Sequence, residues 1–365
     1  MIVISTQNFA PDLGGMQAYL TGLADSLFAK GHDIAVYADT HRQKHPRGVQ
    51  FDPPYRLNRF GGSAPLRRWL KAQAVWRLIK SGAVEALFAD SWKSIEHLPD
   101  DVGFYTKVIC LAHGAELLVR TNSHKAKRLS HALSKATLVA ANSHYTASLV
   151  AKFVPDHSKI RTVWPGVAAP KESSNSSLSK AHCNNRLITI ARLDSYKGID
   201  RVLMALPSLR RTFPSITYDV VGQGRDLERL LSLQNELELN DCVVFHGLVS
   251  DTRKAELLRT ADVFVLPNRD EPGEVEGFGI VFCEAAALSL PSVGGISGGV
   301  SDAIIDRETG LLVDGTSVVE VEVALRQLLS DPQRALALGS EGHRRFWSQM
   351  HWPVAIARFE ALLQN

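Results

Sequence analysis

The sequence lacks the patterns that would place the protein in a membrane or give it a metal centre. It has no run of 18 apolar residues, the length that a membrane-spanning helix requires. It has no HExxH and no D-x-D motif, which excludes the common zinc-protease signature and argues against a metal-bridged diphosphate site. It has no CxxC pair, and its scattered cysteines are predicted to be reduced, buried thiols. These cysteines are Cys110, Cys183, Cys242 and Cys283.

The N-terminus lacks the features of a secretory signal. "MIVISTQNFAPDLGG" has no basic leading region and no small-residue cleavage site, so we predict a first strand and a cytoplasmic protein. No GxGxxG follows that strand, which argues against a dinucleotide cofactor. No recognition motif accompanies the basic residues, so nucleic acid is not an expected partner.

Net charge is only +3, but it is unevenly distributed. Residues 1–165 carry 21 Lys and Arg against 12 Asp and Glu, whereas residues 166–365 carry 20 against 26. A basic first half and an acidic second half indicate different partners for the two halves.

Strand-like apolar runs alternate with helix-like runs along the whole chain. "MIVIS", a helix that stops at Gly31 and "HDIAVYA" form a first β-loop-α-β unit, the kind of unit that builds parallel sheets. A Ser- and Asn-rich segment near the middle is the best linker candidate. The sequence therefore predicts an α/β protein with two tandem Rossmann-like, doubly wound domains. The predicted divisions are 1–167 for the first domain, 168–185 for the linker, 186–345 for the second domain and 346–365 for a C-terminal helix that is a candidate to cross back to the first domain.

Loops at the carboxyl ends of strands hold the candidate site residues of the second half, because open α/β sheets bind ligands there. Arg192 and Lys197 follow the strand "LITIA" and suit a diphosphate through charge-assisted hydrogen bonds; the alternative is a solvated loop. Gly222 follows another strand, where it either lets a ligand approach the backbone or simply makes a turn.

The stretch "EVEGFGIVFCE" places two carboxylates, Glu276 and Glu284, around a Gly-Phe-Gly turn. A helix is predicted to begin near Phe278, and its first amides suit an anion such as phosphate. This helix is apolar on every side, so Glu284 is expected to be buried and to need a hydrogen-bonding partner. A ribose diol of a ligand is the preferred partner, and a Lys or Arg of the protein is the alternative.

Two features of the first half also follow strands. Gly14 and Gly15 open a helix after the first strand, where they either contact a ligand phosphate or only form the turn. His113 directly follows the strand of "CLAHGAE", which makes it a catalytic candidate, although a lone histidine is as often structural.

Together these segments resemble the retaining glycosyltransferases of family 4, in particular bacterial mannosyltransferases, which have the two-domain GT-B fold. The resemblance covers nearly the whole chain. Its motifs include "LAHGAE", "ARLDSYKGID", "VVGQGRD" and, above all, "EVEGFGIVFCEAAALSLPSVGGISGGVSDAI", which contains the E-x7-E pattern of the family. It implies two Rossmann-like domains that face a cleft.

The resemblance also implies roles for the candidate residues. Glu284 would hold the nucleotide ribose, and Glu276 would meet the hydroxyls of the donor sugar near the reacting carbon. Arg192 and Lys197 would hold the donor diphosphate, and His113 would face the donor sugar. The predicted catalytic residues are His113, Glu276, Arg192 and Lys197. The predicted donor-binding residues are Gly14, Gly15, Arg192, Lys197, Gly222, Gly247, Val249, Glu276, Phe278, Gly279, Ile280 and Glu284.

The implied reaction moves a hexose from a nucleotide sugar without a metal or another cofactor, because fixed cations and helix amides would stabilise the leaving diphosphate. Glu276 either acts as nucleophile or only orients the donor sugar. GDP-mannose is the preferred donor, with UDP-glucose and UDP-N-acetylglucosamine as alternatives. Other hypotheses are an epimerase or inverting transferase on the same fold, and a protein that binds a nucleotide sugar or glycan without turnover.

The acceptor is expected to bind the basic first half. The segment 65–80, "PLRRWLKAQAVWRLIK", sets cations among tryptophans and leucines, which suits peripheral association with an anionic membrane surface. The alternative is a helix packed on the sheet with a solvated basic face. We therefore predict a lipid-linked or cell-envelope glycan acceptor, as in lipopolysaccharide or exopolysaccharide biosynthesis. The cations of this segment are Arg67, Arg68, Lys71, Arg77 and Lys80, and Lys125, Lys127 and Arg128 add to the positive field.

Overall fold

A computed structural model describes most of the chain. The described residues are 1–12, 14–40, 51–170 and 184–364. Most of the predicted linker and Cys183 lie outside this part.

The chain divides into two compact units. The first unit is Met1–Val167 together with Trp352–Asn365, and the second unit is Ala168–His351. The segment that the sequence analysis separated as 346–365 is thus divided between the units, with its larger part assigned to the first.

The first unit is built on a seven-stranded sheet within the described residues. Its strands are β1 (Ile2–Thr6), β2 (Ile34–Asp39), β3 (Arg56–Phe60), β4 (Ala86–Ala89), β5 (Lys107–Ala112), β6 (Leu138–Ala141) and β7 (Ile160–Thr162). They pair in parallel in the order β3-β2-β1-β4-β5-β6-β7. The order of addition reverses between β1 and β4, and this switch point is where such sheets bind ligands.

The second unit repeats this arrangement. Its strands are β8 (Arg186–Ile190), β9 (Thr217–Val221), β10 (Val243–Gly247), β11 (Val263–Leu266), β12 (Ser292–Gly295) and β13 (Leu311–Val313). They pair in parallel in the order β10-β9-β8-β11-β12-β13, so the switch point lies between β8 and β11.

Helices connect the strands of both units. In chain order they are α1 (Gly15–Ala29), α2 (Ala64–Lys80), α3 (Trp92–Ile95), α4 (His124–Ser134), α5 (His144–Val150), α6 (Ile199–Thr212), α7 (Leu227–Glu236), α8 (Asp251–Thr260), α9 (Ile280–Ala287), α10 (Val300–Ala303), α11 (Val318–Ser330), α12 (Pro332–Arg345) and α13 (Trp352–Gln364). A π-helical turn, Phe346–Met350, follows α12. Among the described residues, no helix combines the length and the apolar character needed to span a membrane.

The final helix, α13, is held in the first unit by its first residue. Trp352 is 5% exposed and stacks on Tyr19 of α1, with ring centroids 5.9 Å apart. A Cβ atom on Gly22 or on Gly166 would lie about 2 Å from the Trp352 ring system. Only glycine at both positions leaves room for the indole. The site that holds Trp352 is therefore formed by α1 and by the segment around Gly166.

The prediction of two doubly wound α/β units on parallel sheets is confirmed. Three strands, β3, β7 and β13, have no clear signal in the sequence. The sequence of β3 is "RLNRF", which lies at the sheet edge with every side chain at least partly exposed, so it shows no apolar run. The other two are three residues each, too short for a periodic pattern.

Candidate active site

The switch point of the second sheet gathers polar side chains from two neighbouring strands. β8 ends at Ile190 and is followed by the loop that carries Arg192 and Lys197. β11 ends at Leu266 and leads into Asn268 and then Glu276. Because parallel strands present their carboxyl ends at one edge, these loops meet there.

Glu276 is the centre of this group. Lys197 Nζ donates to Glu276 Oε2 at 2.5 Å, and the amide of Asn268 donates to the same oxygen at 3.1 Å. The Lys197 side chain is 11% exposed and that of Glu276 is 15% exposed. Both donors hold one oxygen, so the carboxylate has a defined orientation in which no described residue donates to Oε1.

Lys197 keeps its positive charge at neutral pH. Burial lowers the pKa of Lys197, but the neighbouring Glu276 and Tyr196 outweigh burial and leave the pKa above its ordinary value. Gly198 allows the loop after β8 to approach the loop after β11. It has φ +73°, and a Cβ there would lie 2.0 Å from the carbonyl oxygen of Pro267.

Arg192 lies in a second charged group beside the first. Its Nε contacts a carboxylate oxygen of Asp194, whose other oxygen accepts from Arg225 Nε at 2.9 Å. Arg225 also donates to Glu274 at 2.8 Å. Burial raises the pKa of Asp194, but the two guanidinium groups lower it below its ordinary value. The side chain of Arg192 is 63% exposed, so its outer donors are accessible to an anion.

Gly222 packs against the protein itself. Its φ is +137°, and a Cβ there would lie 1.8 Å from the carbonyl oxygen of Ala191. Its amide donates to the carbonyl of Gly247, at the end of β10, at 2.8 Å. The need for glycine is thus explained by the turn, which was the alternative in the sequence analysis; contact with a donor stays a prediction.

We expect Gly222→Ala to lower the free energy of unfolding by at least about 3 kcal/mol, because it combines left-handed backbone strain with a backbone clash. Urea unfolding measures this. Gly15→Ala is the control, since a Cβ at Gly15 would meet no atom within 4 Å, and its effect is expected to stay within about 1 kcal/mol. Equal effects of the two substitutions would contradict the explanation.

The amino end of α9 presents free backbone amides. The helix begins at Ile280, two residues later than predicted, with Gly279 as its N-cap at φ +91°. No side chain caps it and no acidic residue occupies its first turn. The Phe278 side chain is buried, so only backbone atoms of this segment suit contact with a ligand. Uncapped amides at a helix start favour an anion.

The position of Glu284 differs from the expectation of a fully buried carboxylate with a ligand as its preferred partner. Its carboxylate has a protein partner: Lys254 Nζ of α8 donates to Glu284 Oε1 at 2.8 Å. Glu284 is 16% exposed rather than fully buried, and Lys254 is 24% exposed. Burial lowers the pKa of Lys254, but Glu284 raises it above its ordinary value. The protein cation named as the alternative partner is therefore present, and it engages one oxygen.

Two further predicted donor contacts lie at the end of β10. Gly247 is its last residue, with φ +66°, and Val249 is half-buried in the loop that leads to α8. Ser250 caps α8 by accepting from the amide of Arg253. This loop is thereby fixed next to the helix that carries Lys254.

His113 lies in the first unit, directly after β5. Its Nε2 is 2.9 Å from the carbonyl oxygen of Asp90, and its backbone amide donates to Glu116 at 2.7 Å. A carbonyl only accepts, so Nε2 carries the proton and Nδ1 bears the lone pair when the ring is neutral. The ring packs edge-on against Tyr19, with centroids 5.6 Å apart. His113 is thus held by Asp90, at the switch point of the first sheet.

Gly14 and Gly15 open α1 at the same end of the first sheet. Gly14 is the N-cap, and a Cβ there would lie 2.5 Å from the side-chain oxygen of Gln17. No side chain caps α1, and its first turn has no acidic residue. These glycines form the turn and also leave the start of α1 without a cap. Contact with a ligand phosphate therefore stays a prediction.

The predicted basic face of segment 65–80 needs correction. Lys71 is 1% exposed: its Nζ bonds to Asp39 at 2.9 Å and to the carbonyl of Thr6 at 2.5 Å. Arg67 is 14% exposed and lies 2.7 Å from the other oxygen of Asp39. These cations neutralise a buried carboxylate and do not form an outer surface. Arg77 and Lys80 are exposed, as are Leu66, Trp69 and Leu70.

Two family models match the chain, one over each half. The model of Glycosyltransferase Family 4 matches residues 13–169, and the model of Glycosyl transferases group 1 matches residues 170–345. The GDP-mannose-dependent alpha-(1-6)-phosphatidylinositol monomannoside mannosyltransferase of Mycolicibacterium smegmatis is 30% identical, covering 100% of this chain and 98% of the relative. The chain belongs to the family 4 glycosyltransferases. The mannosyltransferase of the same name from Mycobacterium tuberculosis is 28% identical, with the same coverage.

The fold of this glycosyltransferase agrees with a solved structure. Anabaena HepE in complex with UDP superposes with a TM-score of 0.78 at 17% identity, covering 100% of this chain and 99% of that chain. The glycosyltransferase therefore has the predicted GT-B fold.

The structure brings some predicted residues of the glycosyltransferase together and adds others. Lys197 and Glu276 are in direct contact, whereas Glu284 is paired elsewhere. His113, Gly14 and Gly15 belong to the first unit and the other predicted residues to the second. Asn268, Arg225 and Lys254 are additions that the sequence motifs did not indicate. Asn268 had a usable signal, as a polar residue directly after the apolar run "VFVLP". Among the described residues, no three His, Cys, Asp or Glu side chains converge as a metal site would require.

Proposed function

We propose that this glycosyltransferase moves mannose from GDP-mannose to a lipid-linked or cell-envelope glycan, with retention of anomeric configuration and without a metal ion. The observation that carries the proposal is the contact of Lys197 with Glu276 four residues before the uncapped start of α9. A cation and free amides suit a leaving diphosphate, and an oriented carboxylate suits the hydroxyls of a sugar.

The roles follow from charge development during transfer. The leaving diphosphate gains negative charge, which Lys197, Arg192 and the α9 amides would stabilise as fixed donors. Such donors do the work for which other transferases use a metal. Glu276 would orient the donor sugar through Oε1. Its other oxygen accepts two hydrogen bonds, which stabilise the anion and weaken it as a nucleophile, so we favour the orienting role.

The choice of donor follows the two mannosyltransferases described above, both of which are named GDP-mannose-dependent. UDP-glucose and UDP-N-acetylglucosamine are the alternatives, and the bound base separates them experimentally.

Calorimetric titration with GDP and with UDP tests the donor. We expect a dissociation constant near 1 μM for GDP, about −8.2 kcal/mol, and at least tenfold weaker binding of UDP. With GDP-mannose and a lipid-extract acceptor, turnover should be unchanged by EDTA, and NMR should show the α anomer in the product. Preference for UDP would contradict the assignment of GDP-mannose as donor. Loss of turnover in EDTA would contradict metal independence. Binding of GDP without turnover would favour a non-catalytic binding protein.

Peripheral association with an anionic membrane is part of the proposal. The exposed apolar side chains lie in the first half of α2 and the exposed cations Arg77 and Lys80 in its second half, and Lys80 lies over the rings of Trp76 and Tyr105. Phe104, beside Tyr105, is 93% exposed. Apolar anchors with adjacent cations suit the boundary of an anionic bilayer.

We expect Trp69→Ala to weaken binding to phosphatidylglycerol vesicles about tenfold, because an exposed indole would be buried there. Vesicle sedimentation measures this, with phosphatidylcholine vesicles as the uncharged reference. Trp347→Ala, which removes a similarly exposed indole in the second unit, is the control. Equal losses in both variants would argue against α2 as the contact surface.

A further inference from the structure

Asn268 is a fully buried polar residue at the carboxyl end of the second sheet. It lies two positions after β11 and is 0% exposed. Its amide nitrogen donates to Glu276 Oε2 at 3.1 Å. Its amide oxygen, Oδ1, is also buried and accepts no hydrogen bond from any of the described residues. The side chain therefore makes a hydrogen bond with the candidate active site and leaves its other polar atom unpaired.

The unpaired oxygen is unfavourable for the fold. A buried acceptor without a partner has lost its hydrogen bonds to water and gained nothing in return. Gln234 of α7 shows a buried amide that stabilises the fold, because it donates to the backbone carbonyl of Val243 at 2.9 Å. The amide of Asn268 makes no comparable contact with the backbone. Buried polar groups that are left unpaired call for a functional explanation, and the hydrogen bond to Glu276 supplies one.

The backbone around Asn268 is tightly enclosed. A Cβ atom on Gly295, at the end of β12, would lie 1.8 Å from the carbonyl oxygen of Asn268, and one on Gly315, after β13, would lie 2.2 Å from it. The next residue, Arg269, donates through Nη1 to buried Asp200 of α6 at 2.8 Å. These contacts fix the position from which the amide reaches the active-site carboxylate.

The two donors to Glu276 Oε2 differ in what else they can bind. The ammonium of Lys197 is a compact charge on a flexible stem, and the proposed diphosphate is a competing acceptor for it. The amide of Asn268 is planar, so its direction of donation is set by the side chain. Because Asn268 is fully buried, a ligand has no access to its amide nitrogen. Only one of the two donors is therefore committed to the carboxylate.

We propose that Asn268 is a positioning residue for sugar transfer, an inference that rests on the proposed role of Glu276 toward the donor sugar. Asn268 holds Oε2 of Glu276, so that Oε1 faces the sugar while Lys197 stabilises the leaving diphosphate. Asn268 itself touches no substrate and acts through Glu276. Without its amide, the carboxylate would turn with Lys197, and the sugar would be misplaced relative to its leaving group.

Asn268→Leu tests this in the full-length protein, because leucine has the same branching but neither polar atom. With GDP-mannose and a lipid extract, kcat should fall at least about tenfold, since a hydrogen bond to a charged group is lost. Calorimetry should show GDP affinity within about twofold of the wild type. The urea midpoint of unfolding should be equal to or higher than that of the wild type, because the unpaired oxygen is removed as well.

Gln234→Leu is the matched control, because it also replaces a buried amide of the second unit by leucine. It should give the opposite result, with a lower urea midpoint and an unchanged kcat, since its hydrogen bond stabilises the fold. A fall of kcat that follows stability in both variants would refute the positioning role.

A double-mutant cycle with Glu276 supplies the second test. In the Glu276→Ala background, Asn268→Leu should lower kcat no further, because its effect passes through the carboxylate. A further loss of about tenfold there would overturn the proposal, and so would a wild-type kcat of Asn268→Leu alone. If the larger leucine prevents folding, Asn268→Ala takes its place in the same cycle.

These measurements distinguish the positioning role from the proposed function. If Glu276→Ala loses turnover but Asn268→Leu does not, Glu276 keeps its role and only the positioning by Asn268 is refuted. If the wild type binds GDP-mannose without turnover, the proposed transfer is refuted, and calorimetry then decides the positioning. In that case Asn268→Leu should weaken the binding of GDP-mannose but not of GDP, and equal affinities for GDP-mannose in variant and wild type would overturn it.

Discussion

Glu276→Ala should reduce kcat by at least about 10³-fold while GDP binds as it does to the wild type. The reason is that Glu276 is assigned to the sugar, and the diphosphate to its neighbours. Removal of the carboxylate leaves Lys197 and Asn268 without their shared acceptor, but Lys197 stays available for the diphosphate. Steady-state kinetics with GDP-mannose and calorimetry with GDP measure the two effects separately.

A pair of further variants makes this result specific. Glu276→Gln keeps the shape and one acceptor oxygen but removes the charge, so partial activity would indicate an orienting role and full loss a nucleophilic one. Glu341→Ala removes an exposed carboxylate on α12 and should leave both measurements unchanged. If Glu276→Ala keeps turnover within tenfold, or loses GDP binding together with turnover, the assignment of Glu276 is wrong.

Glu284→Ala should weaken GDP binding between about tenfold and a hundredfold, the usual range for hydrogen bonds to a charged group. Lys254→Met should act in the same direction, because Lys254 holds one oxygen of Glu284 and so orients the other for the ribose. Burial lowers the pKa of Lys254, but Glu284 raises it above its ordinary value, so the charge is present at neutral pH and is lost only in alkaline solution. Lys254 therefore adds no pH dependence to GDP binding around neutral pH.

A double-mutant cycle of Glu284 and Lys254, measured by GDP binding, tests whether the two residues act together. If Lys254 acts through Glu284, the double variant should bind GDP no worse than Glu284→Ala alone. Arg253→Ala, on the exposed side of the same helix, should bind like the wild type. Additive effects would mean that Lys254 contacts the nucleotide independently, and normal binding by Glu284→Ala would remove Glu284 from the donor site.

The sequence was informative about features that arise locally. Apolar runs identified the central strands of both sheets, because buried parallel strands are apolar on both faces. Positions after those strands contained Arg192, Lys197 and His113, since sheet geometry places the ends of parallel strands at one edge. Edge strand β3 was missed because its polar, partly exposed sequence has no such signal.

The partners of charged groups were not predictable from local pattern. Lys197 and Glu276 are 79 positions apart, and Lys254 and Glu284 are 30 apart. The sequence predicts one basic face for segment 65–80, whereas Lys71 points into the protein and contacts Asp39. A charge in the sequence indicates neither its burial nor the carboxylate that neutralises it.

By itself, then, the sequence determined the two parallel sheets and the family, and it supplied the candidate residues of a donor site. Tertiary structure alone decided which of them touch: that Glu276 is oriented by two donors, that Glu284 has a protein cation, and that Gly222 faces a carbonyl of the chain. The physical reason is the distance along the chain over which each interaction acts. Backbone conformation and burial follow neighbours a few positions away, whereas ion pairs and steric fit depend on atoms that only the folded chain brings within a few ångströms.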